Sequence, residues 1–144
     1  MHTSTFVVML LSFLLPRCDV RLPKPCMNVP TDMQCVPGGP VLRGSDRGAK
    51  SVRPAIYAWV DTFYMDTTEV TVQAFEACVK TGKCPYQKTN YKGFSEPNQP
   101  KVGVNWFAAK AFCEAHGKRL PTEAEFEKAI RGPSGELYAW GNEP

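Results

Sequence analysis

The sequence predicts a single α+β domain with little regular secondary structure, and three observations support this fold class. The 144 residues include 13 Pro and 11 Gly, which favour turns, and 8 Phe, 5 Tyr and 3 Trp, whose large side chains suit an irregular core. One segment alternates as a strand does, and three short segments have the helical period. The net charge of +3 gives no reason to expect a nucleic acid as the partner.

The amino terminus is similar to a secretory signal. Residues 6–15 are apolar and uncharged, fewer than the roughly 20 residues that a membrane span requires but enough for the apolar region of an export signal. A buried apolar strand is the alternative. Because the apolar stretch is short and uncharged, we prefer the export signal and assign residues 1–22 to a signal peptide, residues 23–34 to a linker and residues 35–144 to the domain.

Export makes a periplasmic or extracellular location the expectation. Cys18 is a candidate for lipid anchoring, but Pro16 and Arg17 occupy positions where lipoprotein signals have small residues. Simple export is therefore preferred to a lipid anchor.

The six cysteines indicate disulfide bonds, because export would place them where such bonds persist. Two pairs are close enough in sequence to close small rings: Cys26 with Cys35, and Cys78 with Cys84. Cys113 has no clear partner. We do not expect the cysteines to bind zinc, because none has the C-x2-C spacing and the chain has only two histidines.

The strand signals lie in the first half of the chain. Residues 36–45 combine a proline and two glycines with an apolar pair, which predicts a tight turn entering a short strand. Residues 55–64 alternate with a period of two and carry aromatic side chains on both faces, which predicts one strand.

Three helices are predicted from their caps and apolar spacing. The first runs from a cap at Thr71 through Lys80, and the second from a cap at Asn105 to about His116, where a cation is favoured by the helix dipole. The third begins at a capping box formed by Thr122 and Glu125 and ends before Gly132 and Pro133. Its apolar residues Phe126, Ala129 and Ile130 are expected to form the buried side.

Two other sets of side chains were weighed as sites. Glu123, Glu125 and Glu127 could form an acid/base pair, but Glu125 is used by the cap and no nucleophile accompanies them, so a solvated face is expected. Residues 86–100 read as an ordered loop whose Tyr91 and Phe94 could stack on a sugar or a peptide.

Six segments together resemble one family. In order they are VPGG, LRGSD, FYMDTTEVT, VGVNW, GKRLPTEAEFEKAIRG and YAWGNEP, and they span about residue 35 to the last residue. Their order and spacing resemble those of the sulfatase-modifying factor family, best known for formylglycine-generating enzymes. The sequence departs from the family at Phe126, usually Trp, and at Ile130, usually Ala.

The resemblance implies a fold distantly like the C-type lectins and an oxidase chemistry. Active members bind copper through a cysteine pair, take up oxygen and oxidise the cysteine of a Cys-x-Pro-x-Arg motif in an unfolded sulfatase to formylglycine, and calcium braces their fold. The resemblance places the cysteine pair and the calcium ligands after the WGN motif, whereas this chain ends two residues after Asn142. It also implies that the disulfide partner of Cys113 lies there.

The resemblance transfers one active-site neighbour, Glu69 of the TTEVT motif, for which a structural hydrogen bond is an equally good account. Our first hypothesis is an inactive amino-terminal part of such a domain, incomplete at its carboxyl end. A separately encoded carboxyl-terminal half is then the expected partner, and the chain itself holds no copper or calcium. The second hypothesis is a non-catalytic, lectin-like binding or structural module.

Overall fold

A computed structural model of the chain describes residues 21–47, 49–88 and 91–143. The signal-peptide prediction, apart from its last two residues, and the lipid-anchor prediction at Cys18 lie outside these residues. The described part has the mixed α+β composition that the sequence predicts. Its elements are strands β1 (Met33–Val36), β2 (Gly39–Arg43), β3 (Ile56–Val60) and β4 (Phe63–Asp66), a 3-10 turn (Lys50–Val52), and helices α1 (Val72–Lys80), α2 (Trp106–Ala115) and α3 (Glu123–Arg131).

The four strands form two antiparallel pairs, β1 with β4 and β2 with β3. The prediction of one strand over residues 55–64 is therefore wrong, because the chain leaves one pair and enters the other at Asp61 and Thr62. Gly38 lies against this break, and a Cβ atom there would lie 2.7 Å from the backbone nitrogen of Thr62, so the close approach requires glycine. The Gly38 N–H donates to the Thr62 hydroxyl at 2.9 Å, so the β1–β2 connection contacts the β3–β4 connection here.

All three helices begin at the residues that the sequence predicts. The side chains of Thr71, Asn105 and Thr122 accept hydrogen bonds from the backbone N–H groups three residues further on. Glu125 completes the capping box by accepting from the backbone N–H of Thr122 at 2.7 Å. His116 ends α2, and its Nδ1 lies 2.8 Å from the carbonyl oxygen of Phe112.

The buried side of α3 differs from the prediction. Phe126 and Ile130 are 51% and 41% exposed, whereas Glu125 and Lys128 are buried. The helix packs on the β2–β3 pair through small side chains, Ala124 and Ala129, around the buried Val41. Alanines allow close approach of the helix to the strands, so its larger apolar residues lie on the outer face.

A second core lies between α1 and α2. It contains Phe75, Cys78, Cys84 and Ala108, and the ring of Phe112 stacks on that of Phe75 at 5.8 Å. The disulfide between Cys78 and Cys84 is part of this core. It therefore ties the end of α1 to the loop that follows.

The segment before β1 contacts β4, and the last two residues of the predicted linker, residues 33–34, belong to β1 itself. A disulfide joins Cys26 to Cys35, and the Tyr64 hydroxyl donates to the carbonyl oxygen of Met27 at 2.6 Å. The Arg21 guanidinium donates to Asp61 at 2.8 Å. The contacts of Cys26 and Met27 attach the predicted linker, residues 23–34, to the strands, and Arg21 belongs to the residues assigned to the signal peptide. In the described part of the chain, no helix has the length and apolarity to cross a bilayer.

Candidate functional site

Glu69 lies on the exposed connection between β4 and α1. Among the described residues, its side chain has no hydrogen bond and no ion pair, and both accounts of this glutamate stay predictions. Its carboxylate is open to solvent. The role of active-site neighbour that the resemblance implies stays a prediction.

The RLPTEAE motif builds an ion pair at the start of α3 in which the carboxylate is buried and the Arg119 side chain is largely exposed. Glu125 is 7% exposed, and its two carboxylate oxygens accept from the Arg119 guanidinium at 2.7 and 2.6 Å. These bonds, together with those from Thr122, lower the pKa of Glu125 to about 2 despite the opposing effect of burial. Glu125 is therefore a structural anion, as its place in the capping box predicts, and is not suited to carry protons near neutral pH.

Glu127 does not lie on a solvated face, contrary to the sequence prediction. Its carboxylate accepts from the backbone N–H of Gly44 at 2.8 Å and lies 3.6 Å from the Arg131 guanidinium. Glu123 is the exposed member of the group and lies 3.4 Å from Arg43. The three glutamates therefore have separate partners and form no acid/base pair.

Arg131 connects the end of α3 with the segment that follows it. Its guanidinium donates to the carbonyl oxygens of Gly135 and Glu136 at 2.9 and 2.6 Å. A cavity of about 510 Å³ lies beside it, bordered by Leu42, Asp46 and Asn142 among others. The LRGSD and WGN motifs, which are far apart in sequence, thus meet at one place in the fold.

A second charged group surrounds the end of α2. Lys118 donates to Asp32 at 2.8 Å and to Asp66 at 2.6 Å, and these hydrogen bonds raise its pKa. Burial raises the pKa of the nearby Cys113 thiol, which is free of any disulfide. A high thiol pKa leaves little thiolate at neutral pH, so Cys113 is a poor nucleophile and metal ligand.

The described residues show no cluster of metal-binding side chains. They contain no group of three or more His, Cys, Asp or Glu side chains arranged to hold an ion. The described residues therefore give no donor set on which the copper or calcium of the resemblance could be placed.

The predicted loop residues Tyr91 and Phe94 line a groove of about 530 Å³ against α1. We call this groove the α1 groove. Val79 and Lys80 line it from α1, and Tyr86 lines it from the loop that follows. The aromatic signal was readable in the sequence. In the sequence, Lys88 lies near these aromatics but is too sparse a signal for a nucleic-acid surface, and only the fold brings Lys80 and Lys101 to the same groove.

Comparison with known proteins finds a family match over residues 20–144, to the family described as sulfatase-modifying factor enzyme 1-like domain. A serine/threonine-protein kinase pkn1 of Chlamydia pneumoniae is 32% identical over 140 residues, 84% of this chain and 22% of that protein. The formylglycine-generating enzyme of Streptomyces coelicolor is 56% identical over 48 residues, 33% of this chain and 15% of that protein.

An inactive C-alpha-formylglycine-generating enzyme 2 of Bos taurus is 54% identical over 44 residues, 30% of this chain and 15% of that protein. The chain thus spans about a fifth or less of the length of these relatives. Similar identity to a relative named as an enzyme and to one named as inactive means that identity over this stretch does not decide activity.

Proposed function

Because the chain belongs to the sulfatase-modifying factor enzyme 1-like domain family, we propose that it is the amino-terminal part of an exported formylglycine-generating-type domain and is inactive by itself. The substrate of the complete domain would be an unfolded sulfatase-type protein carrying a Cys-x-Pro-x-Arg motif. The partner would be a separately encoded carboxyl-terminal half that supplies the oxidising cysteines.

One observation carries the inactivity proposal. Of the five cysteines in the described residues, four are in disulfide bonds and the fifth, Cys113, is a single half-buried thiol. Copper oxidation through a cysteine pair needs two thiols that can approach one ion. The described residues supply no such pair.

The exposed aromatic side chains support the need for a partner. On α2, Trp106 and Phe107 are 60% and 75% exposed, and Trp140 near the last described residues is 75% exposed. Large apolar groups of this kind that lie near one another usually mark surfaces that another polypeptide covers. Covering them would bury apolar area that the described residues leave exposed.

The test is direct. The purified chain, loaded with copper and supplied with oxygen, is incubated with a peptide containing Cys-x-Pro-x-Arg, and the cysteine is followed by mass spectrometry. We expect no aldehyde from the chain alone, while a complete formylglycine-generating enzyme converts the same peptide as the positive control. Aldehyde formed by the chain alone would contradict the proposal. Co-purification with the product of an adjoining reading frame would identify the second half.

The α1 groove supports the second candidate function, a non-catalytic binding module. Lectin-like scaffolds carry many functions, so the family alone does not decide between the two. If Tyr91→Ala and Phe94→Ala leave binding of every tested ligand unchanged, this candidate is lost.

A further inference from the structure

The α1 groove has a continuous stripe of α1 on one side and exposed aromatic rings on the other. The residues of α1 that line it are five, at the spacing i, i+3, i+4, i+7 and i+8: Val72, Phe75, Glu76, Val79 and Lys80. Tyr86, Tyr91 and Phe94 face this stripe and are 75%, 64% and 41% exposed. Exposed rings around a concave surface are typical of binding sites, because they offer large contact area at low entropic cost.

The charges around the groove have one dominant sign. Lys80, Lys88 and Lys101 line it, against the single carboxylate of Glu76. Neither Lys80 nor Lys88 lies within salt-bridge distance of a carboxylate in the described residues. Lys101 lies 5.7 Å from the centre of the Phe75 ring and 3.4 Å from the carbonyl oxygen of Gln87. Ammonium groups gathered at one concave surface raise the local concentration of anions.

The polar groups favour an anion over a neutral sugar. A neutral sugar gains nothing from the charge of the ammonium groups, and the one lining carboxylate, that of Glu76, stands beside the hydroxyls of Tyr86, Tyr91 and Ser95. The Gln87 amide is already engaged, because its nitrogen donates to the Tyr86 carbonyl at 2.8 Å and its oxygen accepts from the Asn105 N–H at 3.5 Å. Ammonium groups beside aromatic rings instead suit a ligand that carries carboxylates next to an apolar group.

The length of the groove suits a short peptide. The lining stripe from Val72 to Lys80 extends about 12 Å along α1 at the helical rise per residue. An extended peptide covers that distance with about four residues. We propose that the α1 groove binds an acidic, extended peptide segment that places an aromatic side chain among Tyr86, Tyr91 and Phe94 and its carboxylates near Lys80 and Lys88. The proposal rests on the groove alone and holds whether or not the chain is part of an oxidase.

The experiment measures binding of fluorescent pentapeptides by anisotropy. The probe is DEFDE, and the comparison probes are DEADE, which lacks the ring, KKFKK, which reverses the charge, and a labelled neutral cello-oligosaccharide. We expect DEFDE to bind most tightly and to weaken as salt is raised. The double variant Lys80→Glu with Lys88→Glu is expected to weaken DEFDE binding by about tenfold, because two attractive charges become repulsive.

The controls separate the groove from general surface charge. Lys50→Glu makes the same charge change on the exposed 3-10 turn, which does not line the groove, and should leave DEFDE binding unchanged. Tyr91→Ala with Phe94→Ala should weaken DEFDE more than DEADE. Thermal unfolding of each variant verifies that it folds.

Three outcomes would overturn the proposal: equal binding of DEFDE and KKFKK, equal weakening by Lys50→Glu and the double lysine variant, or binding of the oligosaccharide alone. None of these readouts involves copper or cysteine oxidation, so a failure here is distinguishable from failure of the inactivity proposal.

Discussion

Glu125 shows how one side chain can serve two parts of the fold. As the third residue of α3 it accepts from the backbone N–H of Thr122, which closes the capping box. The same carboxylate accepts two bonds from Arg119, which lies on the chain just before the helix. Burial would favour the neutral acid, and the hydrogen bonds reverse that preference. The approach to α3 is therefore held through an ionised carboxylate.

Replacing Glu125 by glutamine should lower the free energy of unfolding at pH 7 by about 2 kcal/mol, because the Arg119 guanidinium loses its ionised acceptor. The folded pKa, about 2, lies below the ordinary value of 4.5, so the unfolded chain binds the proton more tightly. The stabilisation is therefore complete above pH 4.5 and is lost as the pH falls toward about 2. Urea unfolding of both proteins across this range would measure the difference.

Glu123→Gln is the matched control, since the same chemical change is made in the same helical turn. The Glu123 side chain is 70% exposed and lies 3.4 Å from Arg43. Removing its charge should therefore change the free energy of unfolding little. Equal destabilisation by the two variants, or a difference that does not depend on pH, would count against the role given to Glu125.

At the scale of elements, the sequence predicts clearly where α3 begins. It does not predict which face of α3 packs against the strands. Its face toward β2 carries two alanines and the buried Lys128, whose Nζ donates to the Gly39 carbonyl at 3.2 Å. Gly39 has a φ of +124°, a conformation that favours glycine, whereas a Cβ there would lie 3.7 Å from Nζ, an ordinary contact distance. No carboxylate of the described residues lies within salt-bridge distance of Lys128. Burial therefore lowers its pKa.

Lys128→Met should raise the free energy of unfolding near neutral pH by about 1 kcal/mol, because it replaces a buried charge without a carboxylate partner by an apolar chain of similar length. In the wild-type chain the folded state binds the proton less tightly than the unfolded state. Its stability should therefore rise with pH between the lowered pKa and 10.5, and the advantage of the variant should shrink over that range. Denaturant unfolding at several pH values tests both parts.

Lys80→Met on the exposed end of α1 is the control for this prediction. It removes the same charge from an exposed position, where the ammonium group is already solvated. We therefore expect no increase in the free energy of unfolding near neutral pH. A destabilised Lys128→Met protein would show that the bond to the Gly39 carbonyl outweighs the cost of burying the ammonium group.

For the whole molecule, buried and exposed aromatic residues divide the helices into a packed side and an open side. Phe75 is 2% exposed in the core between α1 and α2, while Phe107 on α2 is 75% exposed. The open side of α2 also carries Trp106, whose ring contacts that of Phe107 edge to face at 5.3 Å. Paired exposed rings of this kind favour association with another polypeptide or with a second copy.

Phe107→Ser should reduce self-association of the purified chain, seen by light scattering at increasing concentration, with a change in unfolding free energy of about 0.5 kcal/mol or less. Phe75→Ala, in contrast, should cost about 3–5 kcal/mol, because it leaves a cavity in the core. The prediction fails if Phe107→Ser lowers stability as much as Phe75→Ala, since Phe107 would then be part of a core.

The contrast between these residues shows what the sequence could and could not predict about the fold. Thr71, Asn105 and Thr122 were predicted as caps because a cap is a contact between neighbours in sequence. The burial of Phe126 was predicted wrongly, because the alanines of α3, and not its largest apolar residues, face β2. The split of residues 55–64 reflects pairing with two distant strands, since β3 pairs with β2 and β4 pairs with β1.

The candidate site divides in the same way. Tyr91 and Phe94 were recognisable as stacking residues, and Glu69 as a residue shared with a known motif. The sequence does not show that Lys80 and Lys101 belong to the same site, because Lys80 ends a helix and Lys101 follows a loop. Their position around the same aromatic rings indicates a ligand, and only the fold reveals it. The second partner of Glu127, the Gly44 N–H, is also far away in sequence.

By itself the sequence determined the family, the helix caps and the two short disulfide rings, since each is encoded by motifs or by residues close together in the chain. Only the tertiary structure decided which face of α3 is buried, where the strand breaks and which lysines surround the α1 groove. The physical reason is that burial and the clustering of charge depend on which distant segments pack together, and the local pattern of apolar and charged residues does not specify that packing.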